Sequence, residues 1–519
     1  MLKDIKIIQG ISSISQRAER QRETIKIISS YVEVGVLPQL FNNNNQILYG
    51  RRGTGKTHIL KYLENEYSEN ANKTVCYIDC RILGSSPQFS DTKLSLSHRC
   101  SSLFIDILNE ICDSLLNHIV YQPNENSDLA INSLDDFSTA SIGEIQKSKK
   151  IIHKDSQNNT NSRTTNFGLN TKDIEYKSSK TKGFNGANEK TIAFDKEEYE
   201  KIIFPDLNYH LKKVIEFANT ELILIIDEWS AIPIDIQPYL AEFFKKSFVP
   251  SPNVTLKIGA LEYRSNFTIP REKHNYIGFE LGSDISTNLD IDEYYVYDRN
   301  PNEITKVFTE IIYKHTKSEL PADYLENNYN IRTANQFIQG IFSGKPAFKE
   351  LVRASEGVVR DFINIFNIAF FSAQRKGLKN IDKKTIIESG RQWFENDKSK
   401  NLDEILHQKI RLIIDEVIGN KKARSFLVSR ELERHPIIQQ LFDARVIHLV
   451  KKGYSDKDNP GIRYNIYSLD YGTYVDLINT SKQPEIDFSS SGKNDETNIV
   501  PFDDNRSIRR IILTENILN

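Results

Sequence analysis

Gly50-Arg51-Arg52-Gly53-Thr54-Gly55-Lys56-Thr57 lies between the apolar run Ile47-Leu48-Tyr49 and a helical stripe of Ile59, Leu60, Leu63 and Tyr67. It matches G-x-x-x-x-G-K-[ST] at every fixed position, in the strand–loop–helix setting that the pattern requires. The glycines let backbone N–H groups turn inward around anionic oxygens. The N-terminus of the following helix adds its partial positive charge. Lys56 is placed to reach the β- and γ-phosphates of a nucleotide, and the Thr57 hydroxyl is a ligand for Mg2+. His58 caps or lines the start of that helix.

A second segment completes the chemistry. Leu222-Ile223-Leu224-Ile225-Ile226 is an unbroken apolar run of the kind buried on both faces of a parallel sheet. It ends in Asp227-Glu228. An acid at the end of such a strand holds Mg2+ through water, and the next carboxylate polarises the water that attacks the γ-phosphate. The site residues expected are therefore Gly50 to His58 and Asp227 for nucleotide, Thr57 and Asp227 for the metal, and Lys56 and Glu228 for catalysis.

Outward from these motifs the chain divides into unlike regions. Residues 1–45 read as a lead-in segment and 46–300 as alternating strands and helices, hence a three-layer α/β domain on a parallel sheet. Within it, residues 124–195 are dominated by Asn, Ser, Lys, Thr, Asp and Glu without sustained period. Such a stretch buries too little apolar surface to offset its ordering entropy, so it reads as a disordered or loosely ordered insertion. That insertion also accounts for the long interval between Thr57 and Asp227. Residues 301–400 are helical, with stripes at Ile304–His315, Thr333–Phe342, Ala347–Ala354, Val359–Arg375 and Lys384–Glu395. Residues 401–480 run helix, strand, helix and hairpin, which suggests a winged-helix domain. Residues 481–519 are polar and read as a weakly ordered tail.

Composition excludes several classes. Net charge is -2, with 39% hydrophobic and 27% charged residues, so no global basic footprint demands nucleic acid or an anionic membrane. No apolar run approaches a membrane span, and Met1 to Gln16 lack a secretory core, so a cytoplasmic location is expected. The four cysteines show no paired C-x-x-C spacing and read as small buried hydrophobes.

Taken together, the phosphate loop (Walker A), the Asp227-Glu228 strand end (Walker B) and Gly357-Val358-Val359-Arg360-Asp361-Phe362 ahead of a helix resemble the AAA+ superfamily of P-loop (ASCE) ATPases, in its origin-recognition-like and STAND branches. The resemblance covers roughly residues 30–120 and 200–475. It implies an α/β P-loop core followed by a helical lid and a winged helix, with ATP and Mg2+ as cofactors. It also implies a sensor 2 arginine at Arg360 that contacts the γ-phosphate, and a guanidinium suits that task through forked, charge-assisted bonds. The strand Thr255 to Ala260 stands where the family carries sensor 1. Here the sequence departs from the plain polar form, and Arg264 and Glu262 are the two candidates. For an arginine finger, Arg264, Arg271 and Arg299 remain open.

The function expected is an ATP-binding and ATP-hydrolysing switch that closes lid and winged helix onto the core. Homo-oligomerisation through the ATPase domain is implied, and an effector or regulatory partner is expected as a separate chain, since no second catalytic domain is recognisable. Two alternatives stay open. One is a DNA-associated initiator using Lys451, Lys452 and Arg463 on the wing; DNA contact is less favoured than a packing role for that domain. The other is a non-hydrolysing nucleotide-dependent scaffold or sensor.

Overall fold

A computed structural model describes residues 1–14, 21, 23–84, 87–141, 144–145, 199–200, 202–272, 275–296, 300–421, 423–455, 461–473 and 511–518. Its centre is a five-stranded sheet in which every neighbouring pair is parallel. Across the sheet the strands run Lys73–Asp79, Glu221–Asp227, Val254–Ala260, Gln46–Tyr49 and Ser286–Asp290. The strand that feeds the phosphate loop and the strand that ends in Asp227 are thus separated by one strand, Val254–Ala260.

The expected burial on both faces holds along Leu222 to Ile226, each 0% exposed. Alternation sorts these five side chains into two separate cores: Ile223 and Ile225 face one way, Leu222, Leu224 and Ile226 the other. Each such burial is worth roughly 1.5–3 kcal/mol. Ile59, Leu60, Leu63 and Tyr67 of the helix Lys56–Ser68 cover the first face. The helices Leu96–Tyr121, Phe204–Ala218 and Gln237–Ser247 cover the second. The result is the three-layer α/β architecture expected.

Three boundaries differ from the sequence reading. Within the supposed disordered insertion 124–195, Ser127–Ser141 is a helix packed along Phe204–Ala218. Its buried Ala130, Leu134 and Phe137 recur at helical spacing, a stripe too short to stand out from its polar surroundings. Residues 146–198 lie outside the described residues, as do 474–480 and, of the tail, 481–510. The tail's end, however, returns to the protein. Leu427 N–H donates to Ile511 O and Leu513 N–H to Leu427 O, both at 2.8 Å, while Ile511, Leu513 and Leu518 are buried. The lead-in segment is also integrated. Its helix Ile5–Ser13 is anchored where Asp4 accepts the hydroxyls of Tyr324 and Tyr329 in the lid.

The lid is a helical layer that includes Pro301–Ser318, Lys345–Ala354, Val359–Arg375 and Lys383–Trp393. The third helix begins and ends where the sequence placed it. Asp382 caps the fourth, accepting Thr385 N–H at 2.8 Å. Beyond it, Glu404–Ile414, Ser425–Ser429, Pro436–Asp443, Ile447–Ser455 and Arg463–Leu469 give helix, strand, helix and hairpin. The strand Arg463–Leu469 is central and antiparallel to both neighbours, as in a winged helix. None of the described helices is long and apolar enough to cross a membrane. Cys76, Cys80, Cys100 and Cys112 are all unpaired thiols, the first three buried.

Candidate nucleotide site

The phosphate loop leaves the C-terminal end of its strand through a backbone that only glycine adopts without strain. Gly53 and Gly55 have φ of +86° and +100°. At Gly55 an added Cβ would meet nothing within 4 Å, so this turn opens onto free space. At Gly53 the added Cβ would lie 2.7 Å from Arg360 Cβ, which shows how closely the lid approaches the loop.

Above the loop is a cavity of about 320 Å3. Arg52, Gly53, Gly55, Lys56, Thr57 and His58 line its floor, Glu228 one side and Arg360 the lid side. These are residues the sequence singled out, brought together from three distant segments. Lys56 is buried, and its Nζ donates to the carbonyls of Gly50 and Arg51 at 2.6 and 3.0 Å. Burial pushes its ammonium pKa down, against the pull of Glu228, Asp227 and Asp292. A buried cation beside open space, with glycines turned toward it, suits a multiply charged anion such as a polyphosphate.

Glu228 stands in a left-handed backbone conformation, φ 54°, immediately after the strand. Burial, and then the neighbouring Asp227, hold its carboxyl above the ordinary glutamate range. Asp227 lies beneath the cavity surface and is fully buried. Its Oδ1 accepts Glu228 N–H at 2.8 Å and its Oδ2 accepts the Tyr77 hydroxyl at 2.7 Å. A Cβ on Gly259 would fall 2.8 Å from that Oδ1, so the glycine makes room for the carboxylate. Among the described residues no group of three or more His, Cys, Asp or Glu forms a metal cage. Thr57 with a single carboxylate is the donor set that suits Mg2+ carried on phosphates, which keeps most of its ligands as water and phosphate oxygen.

Several expected residues sit elsewhere. Gly50, Arg51 and Thr54 belong to the loop but do not line the cavity. Thr54 is fully buried and its hydroxyl donates to Arg51 O at 2.8 Å, so it braces the loop from within. Arg264, expected near the phosphates, instead pairs with Asp443 of the winged helix, and Glu262 pairs with Lys452 at 3.1 Å. Both follow the Val254–Ala260 strand on a short 3-10 turn, Glu262–Arg264, that faces the winged helix rather than the cavity. Arg271 is exposed just past the strand Thr268–Pro270 and does not line the cavity. Arg299 lies outside the described residues.

The structure adds residues that sequence reasoning missed. Ile27, Arg81, His315 and Glu319 also line the cavity. Arg81 was findable: it follows the strand end Asp79, at the carboxyl edge where such sheets bind ligands. His315 and Glu319 come from the lid helix Pro301–Ser318 and its cap, and nothing local marks them. His58 and His315 meet edge to face at 5.7 Å, and His58 Nε2 is 2.7 Å from Ile27 O. Burial pushes His315 down to about 3, so it is uncharged at neutral pH.

The profile of the family described as ORC-CDC6-like matches residues 14–297, more than half of the chain. The chain belongs to the ORC-CDC6-like family. The matched region spans both nucleotide motifs, and the ORC-CDC6-like core carries the cavity just described, roofed by helices beyond that region. Among solved structures the chain is similar to Cdc6p from Pyrobaculum aerophilum, at 12% identity over 92% of this chain and 97% of that one, TM-score 0.31. It is similar to the Aeropyrum pernix ORC2 protein in ADPNP–ADP complexes, at 10% identity over 92% and 98%, TM-score 0.32. The Aeropyrum pernix ORC1 protein in complex with DNA is 10% identical over 88% and 94%, TM-score 0.29. No curated protein sequence matches the chain.

The ORC-CDC6-like core also meets the winged helix directly. The Tyr263 hydroxyl donates to Glu433 Oε1 at 2.6 Å and stands 3.0 Å from the Tyr467 hydroxyl. Lys452 reaches Glu262 and Asp290 at 3.1 and 3.0 Å, and these two carboxylates outweigh its burial and hold its pKa above the ordinary lysine range. A wing lysine expected to face DNA is therefore bound to the core's own acids.

Proposed function

We propose that this protein is an ATP-hydrolysing switch in which nucleotide bound between the α/β core and the lid sets the position of the winged helix. The observation that carries this reading is the cavity itself, where Lys56, Glu228 and Arg360 from three distant segments converge. Arg360 also ties the lid to the loop, its N–H donating to Gly53 O at 2.9 Å. Lys56 binds β- and γ-phosphate oxygens, and Arg360 binds the γ-phosphate from above. Glu228 orients the attacking water and takes up its proton. Thr57 and Asp227 would hold Mg2+, which when bound neutralises charge on the phosphate oxygens.

Equilibrium ATP titration and steady-state turnover test the reading. Lys56→Ala is expected to weaken ATP binding severely. Glu228→Gln is expected to keep binding and lose turnover by about 10²–10⁴-fold. Wild-type affinity in the first variant, or wild-type turnover in the second, would overturn the assignment.

A DNA-associated initiator is the second reading, and family membership favours it. Exposed Lys451, Arg463 and Arg434 are the basic groups that support it, while Lys452 is engaged by the core. Salt-dependent duplex binding that weakens on neutralising Lys451 and Arg463 is its test; binding unaffected by those changes would count against it.

A further inference from the structure

Arg51 is the first variable residue of the phosphate loop, yet its side chain turns away from the cavity into a buried seam between loop, lid and winged helix. Its backbone N–H and its Nε donate to Asp292 at 2.8 and 3.0 Å. Its Nη1 meets Nδ1 of His448 on the strand Ile447–Ser455. Its Nη2 lies 3.5 Å from Glu356 O, in the turn that leads to Arg360.

His448 is buried, and its Nε2 stands 2.8 Å from Asp470 Oδ2. A carboxylate accepts and a guanidinium donates. Nε2 therefore carries the proton, and Nδ1 offers its lone pair to Arg51. Asp470 Oδ2 also takes Lys398 Nζ, which lies 2.9 Å from Asp361 Oδ2. Asp361 pairs in turn with Arg445. Lys398, Asp361 and Asp470 have side-chain exposures of 1%, 0% and 2%. Hydrogen bonds and ion pairs thus run in series from the phosphate loop, through the winged helix, to the residue that follows Arg360, with Lys398 and Asp361 joined by charge.

The turn before Arg360 is held from the same two sides. Glu356 and Gly357 have φ of +48° and +76°, and a Cβ on Gly357 would fall 2.1 Å from Tyr295 O. Arg424, at the start of the winged-helix sheet, donates to the Glu356 carboxylate at 2.8 and 2.6 Å.

We propose that His448 is a positioning residue for the nucleotide site: by accepting from Arg51 and donating to Asp470, it couples the phosphate loop to the placement of Arg360. The proposal rests on reading the cavity as an ATP site with Arg360 over the γ-phosphate. In a buried seam, removing one partner leaves its neighbours uncompensated, so the effect passes along the series. A residue that served packing alone would lower stability and leave the chemistry of the cavity unchanged.

The test uses the full chain with Mg2+ and ATP. Binding of a fluorescent ATP analogue, single-turnover hydrolysis and thermal melting are measured for wild type, Lys56→Ala, Arg360→Ala, His448→Leu, His448→Gln and the double variant His448→Leu/Arg360→Ala. His448→Leu is expected to slow single turnover roughly tenfold, the size that coupling within one network reaches, with a smaller change in affinity. In the Arg360→Ala background, adding His448→Leu should then cost less than about twofold more. His448→Gln, whose amide offers one acceptor and one donor at similar spacing, should recover most of the rate. Additive losses in the double variant would overturn the proposal, as would a lowered melting temperature with unchanged turnover. Should His448→Leu not fold, Asp470→Asn takes its place in the cycle with Arg360→Ala: coupled losses support the proposal and additive losses overturn it. Failure of the ATP-site reading is separate: it shows as Lys56→Ala protein that binds the analogue like wild type.

Discussion

Gly53 in the phosphate loop and Arg360 at the start of a lid helix are bonded backbone to backbone, the Arg360 N–H donating to the Gly53 carbonyl at 2.9 Å. The bond makes lid position and loop geometry one mechanical problem. A displacement of either moves the arginine relative to the phosphates that Lys56 would hold.

Gly53→Ala should therefore be costly in two ways. At φ +86° a Cβ is strained by about 1–2 kcal/mol, and it would also sit 2.7 Å from Arg360 Cβ. Thermal melting should show the first effect. Slower ATP turnover beyond what the loss of stability explains should show the second; a variant with wild-type turnover would mean that the lid contact does not matter to the cavity.

The acid limb of kcat/KM should reflect Glu228. Its folded pKa is raised by burial and by Asp227, and in the proposed mechanism the carboxylate form takes the proton from water. Activity is expected to decline, as pH falls, at a higher pH than an ordinary glutamate would give. Because kcat/KM reports the free enzyme, this is the profile to measure. Glu228→Gln should abolish that limb along with the activity.

Stability should fall in acid because of two buried imidazoles. His315 and His448 are both pushed by burial to about 3, against 6.5 for the free group. Below the unfolded value the unfolded chain binds more protons, so stability rises with pH through this window and is lost as pH falls from 6.5 toward 3. Each histidine contributes a slope of about 1.4 kcal/mol per pH unit between those limits. Melting curves of His315→Gln and His448→Gln should each show a shallower pH dependence than wild type.

Phe137→Ala tests the helix inside the polar insertion. The ring is fully buried against the helix Phe204–Ala218 and its neighbours, so truncation should cost about 3–5 kcal/mol. Denaturant titration reads the loss directly, and a change below about 1 kcal/mol would mean that Ser127–Ser141 packs loosely.

Lys452→Met should loosen the seat of the wing on the core, because it leaves Glu262 and Asp290 facing one another without their shared cation. Lys452 and Glu262 are each about one-third exposed, so solvent screening reduces the cost, and about 1–3 kcal/mol is expected. Burial already raises Glu262, so the loss should lessen at low pH, where that carboxylate protonates. A loss of equal size at every pH would point to lost packing instead.

The phosphate loop, the Asp227-Glu228 strand end and the layered core were all legible in the order of the amino acids alone. The reason is that each is a local code: glycine conformations, a lysine and a hydroxyl at fixed spacing, and five apolar residues that only a two-sided sheet can bury. Arg360 was reached only through the resemblance of Gly357 to Phe362 to the lid of a known family, and the fold places it at the cavity. The course of Arg51 was not legible. Its partners Asp292, Glu356 and His448 lie hundreds of residues away, and no local period carries that information. Nor did the sequence disclose that Arg264 and Lys452 answer to Asp443, Glu262 and Asp290. Packing across the folded chain settled these pairings, because a buried charge goes to whichever opposite charge the fold brings within reach.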